Sequence, residues 1–185
     1  TNATSSEHVV LSRDIAGKSI VLLKNANVSG APALPIARRA DKRHMRTVAL
    51  IGAACAQRHR IDPSGSEWTE GDYYVTGGSG RVIAPSTTVH SIHTALEQQI
   101  QEDRLDMELV ISPSDDVEAA VQATMGVDAV IACAGVTATE SIDREDLLLD
   151  SHSFLTQVAQ RLGTGAPFPP VISSISPPMI SPMTL

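Results

Sequence analysis

Short apolar runs separated by polar, glycine-rich stretches set the rhythm of this chain. Ser5 or Ser6 can cap a first helix carrying Val9, Val10, Leu11 and Ile15, and the run Ser19-Ile-Val-Leu-Leu23 that follows predicts a strand. From Lys24 to Arg46 the chain turns to Asn, Gly, Pro and basic residues, with Pro32 and Pro35 opposing a helix, so a loop is expected. Thr47-Val-Ala-Leu-Ile51, ending at Gly52, is apolar without alternation, the pattern of a strand buried on both faces. Residues 56–85 are irregular and polar, and hold the only Trp and both Tyr beside Gly77-Gly-Ser-Gly80. Long loops inside compact domains are usually functional.

From Ser86 onward the periodicity is regular. Val89, Ile92, Leu96 and Ile100 recur at three- and four-residue spacing and predict a helix with one apolar stripe. A strand is expected at Glu108-Leu-Val-Ile111. The next helix is capped by Ser114 or Asp115, faces inward through Val117, Ala120 and Val121, and ends at Gly126. Ala129-Val-Ile-Ala-Cys133 is a further buried strand, followed by a polar loop over 134–147. A helix from about Ser151 presents Phe154, Leu155, Val158 and Leu162 and stops at Gly163, and a last strand spans 170–175. The order β, α, β, α, β, loop, α, β implies right-handed crossovers. The expected fold class is therefore α/β, an open, mostly parallel sheet with helices on both faces. Pro177, Pro178 and Pro182 exclude regular structure at the end, so the sheet would be incomplete there.

Composition narrows the function. With 185 residues, 42% apolar and 19% charged, the chain has the make-up of one soluble globular domain, and no apolar run approaches the roughly 20 residues needed to span a bilayer. Aromatics are only 3%, so the core must be built from Val, Ile, Leu and Ala. A net charge of −7 argues against nucleic acid as a partner, and the basic cluster between Arg38 and Arg46 reads as a solvated loop. Cys55 and Cys133 lack metal-ligand spacing and read as small buried thiols, with pairing left open; no metal and no cofactor is expected. Sequons at Asn2-Ala-Thr4 and Asn27-Val-Ser29 lean toward a secretory route, secreted or lumenal. The first residues show no charged segment followed by an apolar one, which leaves a mature product, a fragment or a cytoplasmic chain open.

In an open parallel sheet, ligands bind beyond the carboxyl ends of the strands, so the chemistry should lie in 52–85 and 134–147. Neither G-x-G-x-x-G at the first turn nor G-x-x-x-x-G-K-[ST] occurs, which sets nucleotide binding aside, and the absence of G-x-S-x-G does the same for a serine hydrolase. The later loop gathers Glu140, Asp143, Glu145 and Asp146 around Arg144. From composition alone it is a solvated loop braced by an Asp/Arg pair. A carboxyl there could act as a general acid if its surroundings raised its pKa.

Taken in order, His8-x-x-Leu11-x-x-Asp14-Ile-Ala-x-Lys18 through Asn25, Leu34-Pro-Ile36, Val48-Ala-Leu-Ile-Gly52, Gly77-Gly-Ser-Gly-Arg-Val82 and Glu140-Ser-Ile-Asp-Arg144 with Leu147 and Leu149 resemble the second domain of glycoside hydrolase family 3, the β-glucosidases and β-xylosidases. The resemblance covers about 8–175, with 176–185 a proline-rich tail, and implies one α/β domain over 1–185. It further implies a retaining enzyme whose Asp nucleophile lies on a (β/α)8 barrel absent from this sequence, and whose acid/base matches Glu140. Asp143 and Arg144 would shape the loop as a salt bridge, and Trp68, Tyr73 and Tyr74 could stack on a sugar. Partners would be the barrel and a β-linked glucoside, xyloside or oligosaccharide. Ser141 stands where the family has Gly, so a required positive φ would strain the loop. With no barrel sequence present, a non-catalytic carbohydrate-contact or assembly module is the alternative.

Overall fold

The computed structural model describes residues 5–28, 31–36, 46–57, 71–81, 89–163 and 171–175. Its centre is a parallel sheet of β3 (Thr47–Ile51), β4 (Glu108–Ser112), β5 (Ala129–Ala134) and β6 (Val171–Ile175), in the order β4-β3-β5-β6. Leu50 lies beside Ile111 on one flank and Ile131 on the other, and Ile131 in turn beside Ile172.

Period-two alternation along β3 and β5 sorts the core into two layers. Val48 and Leu50, with Ala129, Ile131 and Cys133, face α2 (Ala53–Ala56) and α3 (Ile92–Glu102). Ala49 and Ile51, with Val130 and Ala132, face α4 (Val117–Ala123) and α5 (His152–Gly163). Phe154, Val158 and Leu162 recur every fourth residue on α5 and are all buried. Burying each is worth roughly 1.5–3 kcal/mol against exposure, so this one stripe fixes the helix to the sheet.

Chain direction across the sheet decides where a crevice opens. After β3 the chain crosses through α3 to β4 on one side. After β5 it crosses through α5 to β6 on the other side. Between β3 and β5 the two departing connections diverge, the topological switch point at which open α/β sheets bind ligands.

The expected open parallel sheet with helices on both faces is present, and its strands fall where the apolar runs predicted them. Four local expectations need correction. The run 19–23 is not a sheet strand: α1 (Ser6–Ser19) extends through its first residue, and Ile20, Val21, Leu22 and Leu23 then run exposed and pair with no strand among the described residues. An apolar run suits a strand, but a strand also needs an edge to bond. The expected loop after Lys24 contains a two-residue hairpin, β1 (Asn27–Val28) on β2 (Ala31–Pro32), and the Asn25 amide closes it by bonding both the N–H and the C=O of Leu34, each at 3.0 Å. The helix expected from Ser86 begins at Ile92, where the Ser91 hydroxyl accepts from Thr94 N–H at 3.2 Å. Asp116, not Ser114 or Asp115, caps α4, through Ala119 N–H at 2.7 Å. Trp68, Asn2, the basic residues before Arg46 and the proline-rich tail lie outside the described residues.

The two cysteines are not free thiols. Cys55 on α2 and Cys133 on β5 form a disulfide with their Cα atoms 5.1 Å apart, and both are fully buried. Cys133 lies near the end of β5 and Cys55 just after β3, so the bond ties together the two strand ends that flank the switch point.

Candidate functional site

Three loops meet above β3 and β5. The first leaves β3 at Gly52, whose φ of +102° and close approach to the Cys133 carbonyl exclude a side chain: a Cβ there would lie 2.7 Å from that oxygen and 3.3 Å from Phe154. Asp115, just beyond β4, braces this corner. One of its oxygens accepts from Ala53 N–H and the other from the Ser151 hydroxyl, both at 2.8 Å, joining the starts of α2 and α5.

The second is the glycine-rich segment 71–81. Asp72 shapes it locally, its carboxylate accepting from the N–H groups of Tyr74 and Val75 at 2.8 Å, the bonding of an Asx turn. Tyr74 is 4% exposed. Its hydroxyl donates to the Ala54 carbonyl and accepts from Ile92 N–H, so the ring is a core strut between α2 and α3 and has no face for a sugar. Burial pushes its phenol up in pKa. Tyr73 is half-buried with its ring against Gly135, where a Cβ would come within 2.6 Å of the ring edge. Burial raises its pKa too, with hydrogen bonding to Ser151 opposing.

The third loop runs from Gly135 to Asp150 and carries the acidic cluster. Asp150 closes its base: one carboxylate oxygen accepts from Thr137 N–H at 2.8 Å and from the Thr137 hydroxyl at 3.1 Å, while the other pairs with Arg144 Nη1 at 2.8 Å. The Arg144 guanidinium also reaches the carbonyls of Thr137 at 3.0 Å and Leu148 at 2.5 Å. The ion pair expected between Asp143 and Arg144 is therefore made between Arg144 and Asp150. Arg144 turns back into its own loop, where two carbonyls and a carboxylate converge, and both it and Asp143 line an open depression of about 920 Å³ alongside Ile142, Leu148 and Ser153.

Glu140 sits at the tip. Thr139 and Ile142 bridge, and Glu140-Ser141 turns between them with Ser141 at φ +67°, so the positive φ that glycine would supply is here adopted by serine. The tip leans on the glycine loop: Gly77 N–H donates to Ala138 C=O at 3.1 Å, and both the N–H of Ser79, at 2.6 Å, and its hydroxyl donate to one oxygen of Glu140. Glu140 is fully exposed, and these donors hold its carboxyl below the ordinary glutamate range, the hydroxyl contributing most. It does not line the depression, although its neighbours Thr139 and Ile142 do.

The structure thus brings Glu140, Asp143, Arg144 and Tyr73 to one end of the sheet. Asp150, Asp115 and Ser79 were not anticipated as site residues. Ser79 alone carried a signal, its place inside Gly77-Gly-Ser-Gly80. No group of three or more metal-ligating side chains occurs among the described residues.

A parallel sheet with a disulfide-tied switch point and a carboxylate presented from the loop after a central strand defines an open α/β domain with its loops gathered at the strand ends. Residues 20–182 match the family model for the glycosyl hydrolase family 3 C-terminal domain, and the chain belongs to that family. Two solved structures share the fold. One is a beta-D-glucoside glucohydrolase from Trichoderma reesei, with TM-score 0.68 and 21% identity over 95% of this chain and 24% of that one. The other is a beta-glucosidase from Chaetomella raphigera, with TM-score 0.69 and 23% identity over 93% of this chain and 23% of that one. The chain therefore spans about a quarter of the length of either structure. No curated protein sequence matches it.

Proposed function

We propose that residues 1–185 are one domain that supplies the acid/base of a retaining β-glycosidase acting on β-linked glucosides or xylosides, and that it works only beside a (β/α)8 barrel bearing the nucleophile. The observation that carries this is the placement of Glu140, an exposed carboxylate at the tip of the loop after β5, at the switch point of a family 3 C-terminal domain. In the first step the barrel's carboxylate would attack the anomeric carbon while the glycosidic C–O bond breaks and protonated Glu140 gives its proton to the leaving oxygen. In the second, Glu140 as carboxylate would take a proton from water, whose oxygen attacks the anomeric carbon and releases the nucleophile.

The state of Glu140 supports the dependence on a second domain. Ser79 favours the charged form, whereas the first step needs the acid. A nucleophile carboxylate about 5–5.5 Å away would push the Glu140 pKa up by like-charge repulsion, and on this reading that group belongs to the barrel. In a protein carrying both domains, Glu140→Ala should depress hydrolysis of poorly activated aryl glycosides far more than of activated ones, with azide restoring the latter. Equal losses on both would count against the acid role. Purified residues 1–185 should hydrolyse neither, and turnover by them would refute the dependence.

Passage through the secretory route is supported by the buried disulfide, which persists in oxidising compartments, and by the sequon at Asn27. Loss of mass at Asn27 on enzymatic deglycosylation of the natural protein is the check. No helix among the described residues is long and apolar enough to cross a membrane.

A further inference from the structure

We propose that Ser79 is the positioning residue for Glu140, its amide and hydroxyl seating the carboxylate on the glycine loop and Gly78 leaving the space in which it sits. The consequence for turnover rests on the acid/base reading of Glu140; the seat itself rests on the geometry alone.

An exposed glutamate has three soft side-chain torsions and no apolar contact to select among them. Here two donors from one residue, 61 positions away in sequence, meet the same carboxylate oxygen. The preceding residue has to be glycine. Gly78 lies at φ +99°, and a Cβ there would collide with Glu140 Cβ and stand 3.0 Å from both its backbone nitrogen and its Oε2. One step earlier, Gly77 N–H to Ala138 C=O locks the two loops in register. The seat is therefore two backbone segments in contact, with Ser79 supplying a side-chain donor beside its amide. Groups that donate to a carboxylate favour its ionised form, so the seat holds Glu140 ready to accept a proton and resists its acting as a donor. Both donors engage the same oxygen, so a proton on the other one is disfavoured but not excluded while the seat is occupied.

The test is a carboxyl carbon titration of Glu140 by NMR in residues 1–185, for the wild type, Ser79→Ala and Ser79→Thr. In the wild type Glu140 should titrate below ordinary glutamate. Ser79→Thr, which keeps both donors, should do the same, and Ser79→Ala should titrate higher, the retained amide leaving part of the effect. Identical midpoints in the wild type and Ser79→Ala overturn the proposal. In the two-domain protein, Ser79→Ala should move the alkaline limb of the kcat/KM profile upward, a change that loss of stability alone does not produce. If Ser79→Ala shifts the titration while Glu140→Gln leaves hydrolysis of poorly activated glycosides intact, the seat stands and the acid/base reading falls. If Glu140→Gln abolishes that hydrolysis and Ser79→Ala moves neither midpoint nor limb, the seat falls and the reading stands.

Discussion

Replacing both Cys55 and Cys133 by Ala should cost this fold much of its stability, by an amount set mainly by the unfolded chain. The bond joins residues 78 apart. Closing a loop of that length removes about 15 cal/mol/K of entropy from the unfolded ensemble, about 4.5 kcal/mol at 25 °C. Domains are stable by roughly 5–15 kcal/mol in all, so the loss is between about a third and nearly the whole. At this chain length it corresponds to a fall of about 9–18 °C in Tm. Urea unfolding of the oxidised wild type, the reduced wild type and the double variant separates the causes. Reduction keeps the sulfur volume and removes only the cross-link, so a matching loss in both isolates the entropic part; any excess in the variant is the cavity left between β5 and α2. The slope against urea should rise in both, because an uncross-linked chain unfolds to a more exposed state. Both sulfurs are buried, so reductant should act slowly until denaturant is added. Free energies of the oxidised and reduced proteins that agree within about 0.5 kcal/mol, with equal slopes, would refute the reasoning.

Five further outcomes follow, four of them from the site. Asp150→Ala removes three bonds from a carboxylate whose ion pair is about a quarter exposed, between the surface and buried limits, so a loss of about 2 kcal/mol is expected by thermal unfolding, with faster amide exchange across 135–150. Gly52→Ala should cost about 3 kcal/mol from forbidden φ and backbone collision. Gly17→Ala, inside α1 with nothing within 4 Å of the new Cβ, should gain about 0.5–1 kcal/mol by the same unfolding assay. Ser141→Gly relieves a left-handed serine and should stabilise by up to about 1 kcal/mol, read as an upward shift in Tm. Glu140→Gln should lower the unfolding midpoint at neutral pH and make no difference in strong acid. The carboxyl is held below its ordinary pKa when folded, so its contribution is complete above the ordinary glutamate value and disappears as pH falls through the lowered one; a difference that persisted in acid would contradict the sign.

The sheet was legible because β3 and β5 are continuous apolar runs bounded by glycine or loop, the pattern of a strand covered on both faces. The helices were legible from their stripes, α5 most of all, since Phe154, Val158 and Leu162 sit on one face whatever the context. What was lost needed a third dimension. Nothing in Ile20–Leu23 says which strand edge, if any, it meets. The pairing of Cys55 with Cys133 follows from β3 and β5 being neighbours, and strand order is not written in either strand. Arg144 had four acids within a few residues, and its partner is a fifth, Asp150, because the loop returns to its own base before entering α5. Glu140 was found by resemblance to a motif, whereas Ser79 could be paired with it only once two loops 61 residues apart were seen to touch.

That contact bears on why such a site would be divided between domains. A carboxyl that alternates between donor and acceptor needs a pKa that moves during the reaction, and no fixed set of donors provides that. Ser79 supplies a constant pull toward the charged form. On the proposed reading the opposing push comes from a nucleophile that is charged before the glycosyl intermediate forms and neutralised by esterification once it has formed. Glu140 would then be driven toward the acid in the first step and released to its Ser79-held carboxylate in the second. The two influences have to originate on different elements, because only one of them is allowed to change; a seat built from rigid backbone, with glycine required at 78 by contact, is suited to be the constant one.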